Sequence, residues 1–349
     1  MLYKAIFQGR LDYATERAYR QMKALYMHRI ENYYKREAHF KPEQIFDDEL
    51  YRVVIPRTVV QLSEKYWKNT VNLLKLCADY AVAGYVGAWM VQEGKILHYA
   101  MIEPTGDKVV VREFNKALSI IGEKGREKEA LERLNKAISK YDKHSMAYER
   151  RGYVNFILKQ YEDARYDFDK SIRLDENNAL AYFGRGNLNF IEERWEDALM
   201  DFTMAMKKSI ALQPLHWQAR LKKAETHMQL KQYSEAEREL KLFIGRHFTP
   251  DNVNYQMYNY AVLLLAKALL EQERYHEVLQ KLRLINPEER NKKFDLGEMY
   301  FVEGLARYRG NLGAHVEAWQ KAVEHGYALA EKWLEERAPE YRRPKTQTR

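Results

Sequence analysis

The sequence predicts a mainly α-helical chain whose larger part is an α-solenoid of about five to six two-helix units. Two observations carry that prediction. Tyr161, Trp195, Tyr233 and Tyr275 each stand nine residues after a small residue (Gly152, Gly186, Ala224, Ala266) and three before another small or compact one (Ala164, Ala198, Ala236, Val278). The small residues recur at intervals of 34, 38 and 42, and the longer intervals coincide with loop chemistry at Gln213-Pro214 and His247-Phe-Thr-Pro250-Asp-Asn252. Insertions there lengthen connections and leave the helices in register.

Taken in order, residues 11 to 38 read as one helix, because Tyr19, Met22, Tyr26, Ile30 and Tyr33 recur at three- and four-residue intervals, with Lys23, Arg29, Lys35 and Arg36 elsewhere around it. Tyr51 to Val60 is β-branched but contains Pro56, which excludes a central strand and leaves an edge strand or extended connector. A second helix is expected from about Ser63 toward Gly84 or beyond, with Ala78, Ala81, Gly84, Gly87 and Ala88 offering a small-residue packing face. Residues 95–102 and 108–112 flank Pro104-Thr-Gly106-Asp107, whose turn chemistry fits a small β-hairpin. The competing reading makes Leu74 to Ile102 a degenerate repeat unit. Residues 1–110 are thus expected to be a mostly helical or α+β region, without resemblance to a known family.

From Phe114 the repeats take over. Phe114 to Tyr141 reads as a helical hairpin broken at Gly122-Glu-Lys-Gly125. Ser145 to Asn178 carries Tyr148, Gly152, Tyr161, Ala164, Phe168 and Ser171; Ala179 to Leu212 carries Tyr182, Gly186, Trp195, Ala198, Phe202 and Ala205 at the same positions. Small residues are needed where two helices cross closely, aromatics fill the flanking spaces, and one unit cannot bury its apolar face without neighbours. Ala266, Tyr275, Val278, Leu282 and Ile285 form a later unit ending at Pro287. Gly304, the turn Gly310-Asn-Leu-Gly313 and Ala318-Trp-Gln-Lys-Ala322 form the last.

This pattern resembles the tetratricopeptide repeat (TPR) family over roughly residues 111–335, and the final unit, with its Ala318-Trp319 pair and Gly326-Tyr-Ala run, resembles the Sel1-like variant. The resemblance implies a superhelix whose first helices line a concave face. Residues 336–349, with Arg342-Arg343-Pro-Lys345, are expected to be a flexible basic tail.

Composition bounds the function. The chain has 349 residues, a net charge of +8 and one cysteine, Cys77, so no intramolecular disulfide framework exists and a reducing, cytoplasmic setting is expected. The N-terminus lacks a secretory apolar core, and the uncharged run Tyr80–Gln92 is too short to span a bilayer. The ten histidines are scattered, no His-Glu-x-x-His or Walker loop occurs, and Gly84-Tyr-Val-Gly87 is too short for a dinucleotide fingerprint. Asp47-Asp-Glu49 and Glu192-Glu193 are adjacent carboxylates that point to different helix faces and cannot share a proton. No catalytic residue, cofactor or metal is therefore expected, and the chain reads as a non-enzyme.

The expected activity is that of a protein-protein interaction scaffold or adaptor, holding a peptide or helix against exposed positions of the first helices. Those candidates are Glu149, Tyr153 and Phe156; Phe183, Asn187 and Phe190; and Leu221, Glu225 and Met228. Phe156 and Phe190 are equally suited to sealing junctions between units. The lysine and asparagine pair with which some TPR proteins grip a carboxy-terminal carboxylate is not complete here, since Glu149 and Tyr153, then Phe183 and Asn187, occupy those positions. One alternative is nucleic-acid binding through the basic, tyrosine-rich N-terminal helix: residues 1–41 hold nine Lys/Arg against four Asp/Glu. Another is a structural subunit of a larger assembly, by self-association or within a complex, and neither reading involves a membrane.

Overall fold

The computed structural model describes residues 1–35, 37–105, 108–286, 288 and 293–338. Arg36, Gly106, Asp107, Pro287 and residues 339–349 of the basic tail, all invoked above, lie outside the described residues. The chain forms two compact units, residues 1–185 and 186–349.

The first unit begins with strand β1 (Tyr3–Asp12), whose alternation puts Ala5, Phe7 and Leu11 in the core. Helix α1 (Glu16–His28) follows, started by the Thr15 hydroxyl accepting from Ala18 N, and runs into a π-helical turn, Arg29–Tyr33. Then come α2 (Pro42–Ile45), β2 (Phe46–Asp47), β3 (Arg52–Leu62), α3 (Glu64–Tyr80), β4 (Ala83–Gln92) and β5 (Lys95–Ile102). The strands make one antiparallel sheet in the order β2-β3-β1-β4-β5. Tyr19, Met22 and Tyr26 of α1 and Trp67, Leu74 and Cys77 of α3 share one core with the strands.

This sheet is larger than the expected hairpin. The helix expected over 11–38 starts only at Glu16, because Leu11 and Asp12 complete β1. Pro56 sits within an eleven-residue strand, at the register break where Phe7 pairs with Thr58 and Gly9 with Ile55; the partner edge strand β2 reaches only Arg52 and Val53, so no donor is missed at the proline. Helix α3 stops at Tyr80, where the Lys108 ammonium donates to the carbonyls of Tyr80 (2.6 Å) and Ala81 (3.0 Å). Gly84 and Gly87 therefore lie in a strand, and Gly87 serves packing by leaving room for the Trp89 ring. Residues 95–102 pair with β4 across the two-residue turn Glu93-Gly94, while Val109 opens helix α4; the degenerate-repeat reading of 74–102 fails on the same pairing.

Helical hairpins follow. The first unit holds α4 (Val109–Ile120), α5 (Glu127–Lys140), α6 (Ser145–Ile157), α7 (Tyr161–Leu174) and the first half of α8 (Ala179–Ile191). The second holds the rest of α8, α9 (Trp195–Lys208), α10 (Pro214–Gln229), α11 (Tyr233–Ile244), α12 (Tyr258–Glu271), α13 (Tyr275–Leu282), α14 (Leu296–Arg309), α15 (His315–Glu324) and α16 (Ala328–Arg337). The expected crossings are present: a Cβ on Gly152 would lie 3.0 Å from the Phe168 ring, and one on Gly186 2.8 Å from Phe202. Gly304 meets Trp319 in the same way, at 2.2 Å.

Each aromatic that marks the period opens a second helix, and the turn before it repeats atom for atom. Lys159, Glu193, Lys231 and Glu273, two residues before Tyr161, Trp195, Tyr233 and Tyr275, adopt φ of 60°, 58°, 56° and 59°. The next amide reaches back five residues in every case: Gln160 to Asn155, Arg194 to Asn189, Gln232 to His227 and Arg274 to Leu269, at 2.8–3.0 Å. These are Schellman closures of the preceding helix.

Candidate binding surface

Polar side chains tie first helix to second inside the hairpins. Arg151 grips Asp167 through two nitrogens (2.9 and 2.6 Å), and Asn155 Nδ2 donates to the same carboxylate at 3.0 Å. One period later Asn189 Nδ2 donates to Asp201 at 2.9 Å, and in the next hairpin Arg220 and Lys223 share Glu239 at 2.5 and 2.8 Å. Paired buried charges of this kind hold the helices in one register, because separating them leaves a carboxylate unsolvated.

Against that frame the nine candidate positions divide by exposure. Tyr153 is 39% exposed; Phe156, Phe183, Asn187, Phe190 and Met228 are half-buried. Glu149, Leu221 and Glu225 are buried, contrary to the expectation that they face solvent. Leu221 belongs to the apolar core of the second unit, and Glu225 accepts from Lys222 at 2.6 Å. Phe156 packs on the turn aromatic Tyr161 of its own hairpin (ring centroids 6.0 Å apart), and Phe190 does the same with Trp195 (5.0 Å). Lys222 Nζ stands 4.8 Å from the Phe190 centroid.

Glu149 is buried, and α6, which carries it, lies against β4 of a sheet that the sequence did not reveal. Its carboxylate is 3.3 Å from Arg150 Nε, and its Oε2 makes no hydrogen bond. Burial raises this carboxyl above the ordinary glutamate range, with Arg150 opposing. Tyr85 of β4 is in the same electrostatic neighbourhood, and burial pushes its hydroxyl up to about 12. Arg10 of β1 donates to the Leu174 carbonyl at the end of α7 (2.8 Å) and lies 3.6 Å from Asp175. The signal for strand β1, though not for this contact, was present in Tyr3–Asp12, where Lys4, Gln8, Arg10 and Asp12 alternate with Ala5, Phe7 and Leu11.

A family model described as tetratricopeptide repeat matches residues 123–179, spanning α5, α6 and α7. The chain contains tetratricopeptide repeats. No curated protein matches the chain. Among solved structures, the TPR chain is similar to Pseudomonas aeruginosa PilF, at 15% identity and a TM-score of 0.52 over 66% of this chain and 98% of that one, a likeness of fold. It is also similar to YrrB, described as a TPR protein with an unusual peptide-binding site (18% identity, TM-score 0.48, 58% of this chain and 97% of that one). A tetratricopeptide repeat protein from Parabacteroides merdae is matched over 91% of this chain and 98% of that one, at 15% identity and a TM-score of 0.41.

The TPR chain's other sequence-level candidates find structural roles. Tyr19, Met22 and Tyr26 are fully buried and pack the core in place of stacking on nucleic-acid bases, while Tyr33 is 65% exposed with Arg29 over its ring; nothing found supports nucleic-acid binding. Asp48 accepts from the Tyr19 hydroxyl at 2.6 Å and from Lys23 at 2.7 Å, and Asp47 accepts from Arg52 at 2.7 Å. Among the described residues, no helix is long and apolar enough to cross a membrane, and no group of three or more His, Cys, Asp or Glu is placed to hold a metal.

Proposed function

We propose that this chain is a non-catalytic interaction scaffold whose first helices hold an extended peptide or amphipathic helix of a partner protein, in the cytoplasm. In this reading residues 111–335 act as one repeat domain, residues 1–110 as a second contact and residues 336–349 as a tail. One observation supports it above the others. At the repeated positions Tyr153, Phe156 and Phe183 of the first unit, aromatic side chains stay partly exposed on helices already held by their ion pairs, with few charges among them. Rigid aromatic surface of low conformational entropy is what peptide capture needs. Asn187, Phe190 and Met228 offer the corresponding chemistry in the second unit. Glu149, Leu221 and Glu225 drop out of the contact set in this state, because they are covered.

The test is capture by the purified chain of peptides selected from a displayed library. Tyr153→Asp with Phe183→Asp is expected to abolish capture while the helical circular dichroism signal is retained. Undiminished capture would remove the first-unit surface from the reading.

A further inference from the structure

The two edges of the five-stranded sheet are built differently. At one edge β2 is two residues long, and β3 beyond it carries Pro56, which has no donor, together with Arg52 and Arg57. Those are the usual protections against strand addition. At the other edge β5 spans Lys95–Ile102 with charge only at its start, and its outer side has no backbone partner among the described residues.

Side chains on that strand repeat the contrast. A bulge between the pairs Met90–His98 and Val91–Ile96 inserts Leu97 as an extra residue, which returns Ile96 to the face shared by Tyr99 and Met101. Ile96, Tyr99 and Met101 are 46%, 49% and 46% exposed, and Tyr99 lies against Trp89 with centroids 5.3 Å apart. This row reads nearly the same in both directions: with Tyr99 on a twofold axis, the bulge makes Ile96 of one copy face Met101 of the other.

We propose that the outer edge of β5 pairs antiparallel with β5 of a second copy of this chain, centred on Tyr99, to make a continuous ten-stranded sheet in a twofold dimer. A twofold edge contact must be self-complementary, and the row Ile96, Tyr99, Met101 meets that condition. The ladder hydrogen bonds satisfy the open edge, and the Tyr99 pair extends the aromatic row begun by Trp89. This surface is independent of the repeat surface above, so either reading can fail alone.

The test uses the full chain. Light scattering after size exclusion is expected to show a dimer, and Tyr99→Lys to weaken dimerisation by roughly tenfold or more through like charges facing across the axis, with circular dichroism unchanged. Register is read by disulfide formation, for which the native Cys77 is buried and silent. Tyr99→Cys is expected to cross-link to itself; Met101→Cys is expected to cross-link only when mixed with Ile96→Cys. A monomer at tens of micromolar, a dimer indifferent to Tyr99→Lys, or a monomer that takes up free extended peptide at this edge would each overturn the proposal.

Discussion

Arg10 donates a 2.8 Å hydrogen bond to the carbonyl oxygen of Leu174, joining the N-terminal strand to the end of a repeat helix 164 positions away. The same guanidinium holds Asp12, which is buried, at 2.9 Å. Replacing Arg10 by methionine removes a charged donor from a helix C-terminus and leaves Asp12 without its cation. We expect a loss of about 2–3 kcal/mol, read as a lower urea midpoint for the first unit. A change below about 0.5 kcal/mol would show that the guanidinium is solvated in solution.

The repeated left-handed residues before the turn aromatics are places where the chain spends stability on composition. Lys159 and Glu273 sit at φ of 60° and 59°, a conformation glycine adopts without a Cβ penalty. Lys159→Gly and Glu273→Gly are each expected to stabilise by about 0.5–1 kcal/mol, and Lys159→Val to destabilise by about 1 kcal/mol or more. Thermal unfolding of the three variants beside the parent chain decides the sign.

Crossing distance makes a third prediction. A Cβ on Gly304 would lie 2.2 Å from the Trp319 ring, which is itself fully buried, so the ring cannot move aside into solvent. Gly304→Ala is expected to cost about 1–3 kcal/mol. Gly313, whose added Cβ would meet nothing but whose φ is 70°, is expected to tolerate asparagine far better than valine.

His144 predicts a pH dependence. It is buried against Phe114, its Nδ1 accepts from Ala147 N at 3.2 Å to cap α6, and burial lowers its pKa to about 3. The unfolded chain therefore binds a proton near pH 6.5 that the folded chain refuses until about pH 3. The contribution of neutral His144 is complete above pH 6.5 and is lost progressively as pH falls toward 3. Between pH 7 and pH 5 the loss is roughly 2 kcal/mol. His144→Asn keeps a capping acceptor and is expected to flatten that part of the profile, measured as the difference from the parent chain across urea titrations.

Much of this architecture was legible because its signals are local and repeated. Gly152 with Phe168 and Gly186 with Phe202 recur at 34 residues, and a repeat offers several chances to see one pattern. The sheet gives each strand only one. Strand β4 is apolar on both faces and rich in small residues, so Gly84, Gly87 and Ala88 imitate the continuation of a helix-packing face begun by Ala78 and Ala81; Glu93-Gly94, a two-residue hairpin turn, was the decisive signal and reads equally well as a helix stop. The candidate surface suffered from the same gap. Glu149 occupies the repeat position of Phe183 and Leu221, and no repeat arithmetic reveals that its helix lies against β4.

The central claim is that partner binding occurs on the first helices of the repeats. Hydrogen exchange of the full chain, with and without a peptide selected for binding to it, tests that claim most directly. The account predicts slowed exchange within residues 145–157 and 179–191, lost together with binding in Tyr153→Asp with Phe183→Asp. Protection confined to residues 1–102, with those helices unchanged, would contradict it.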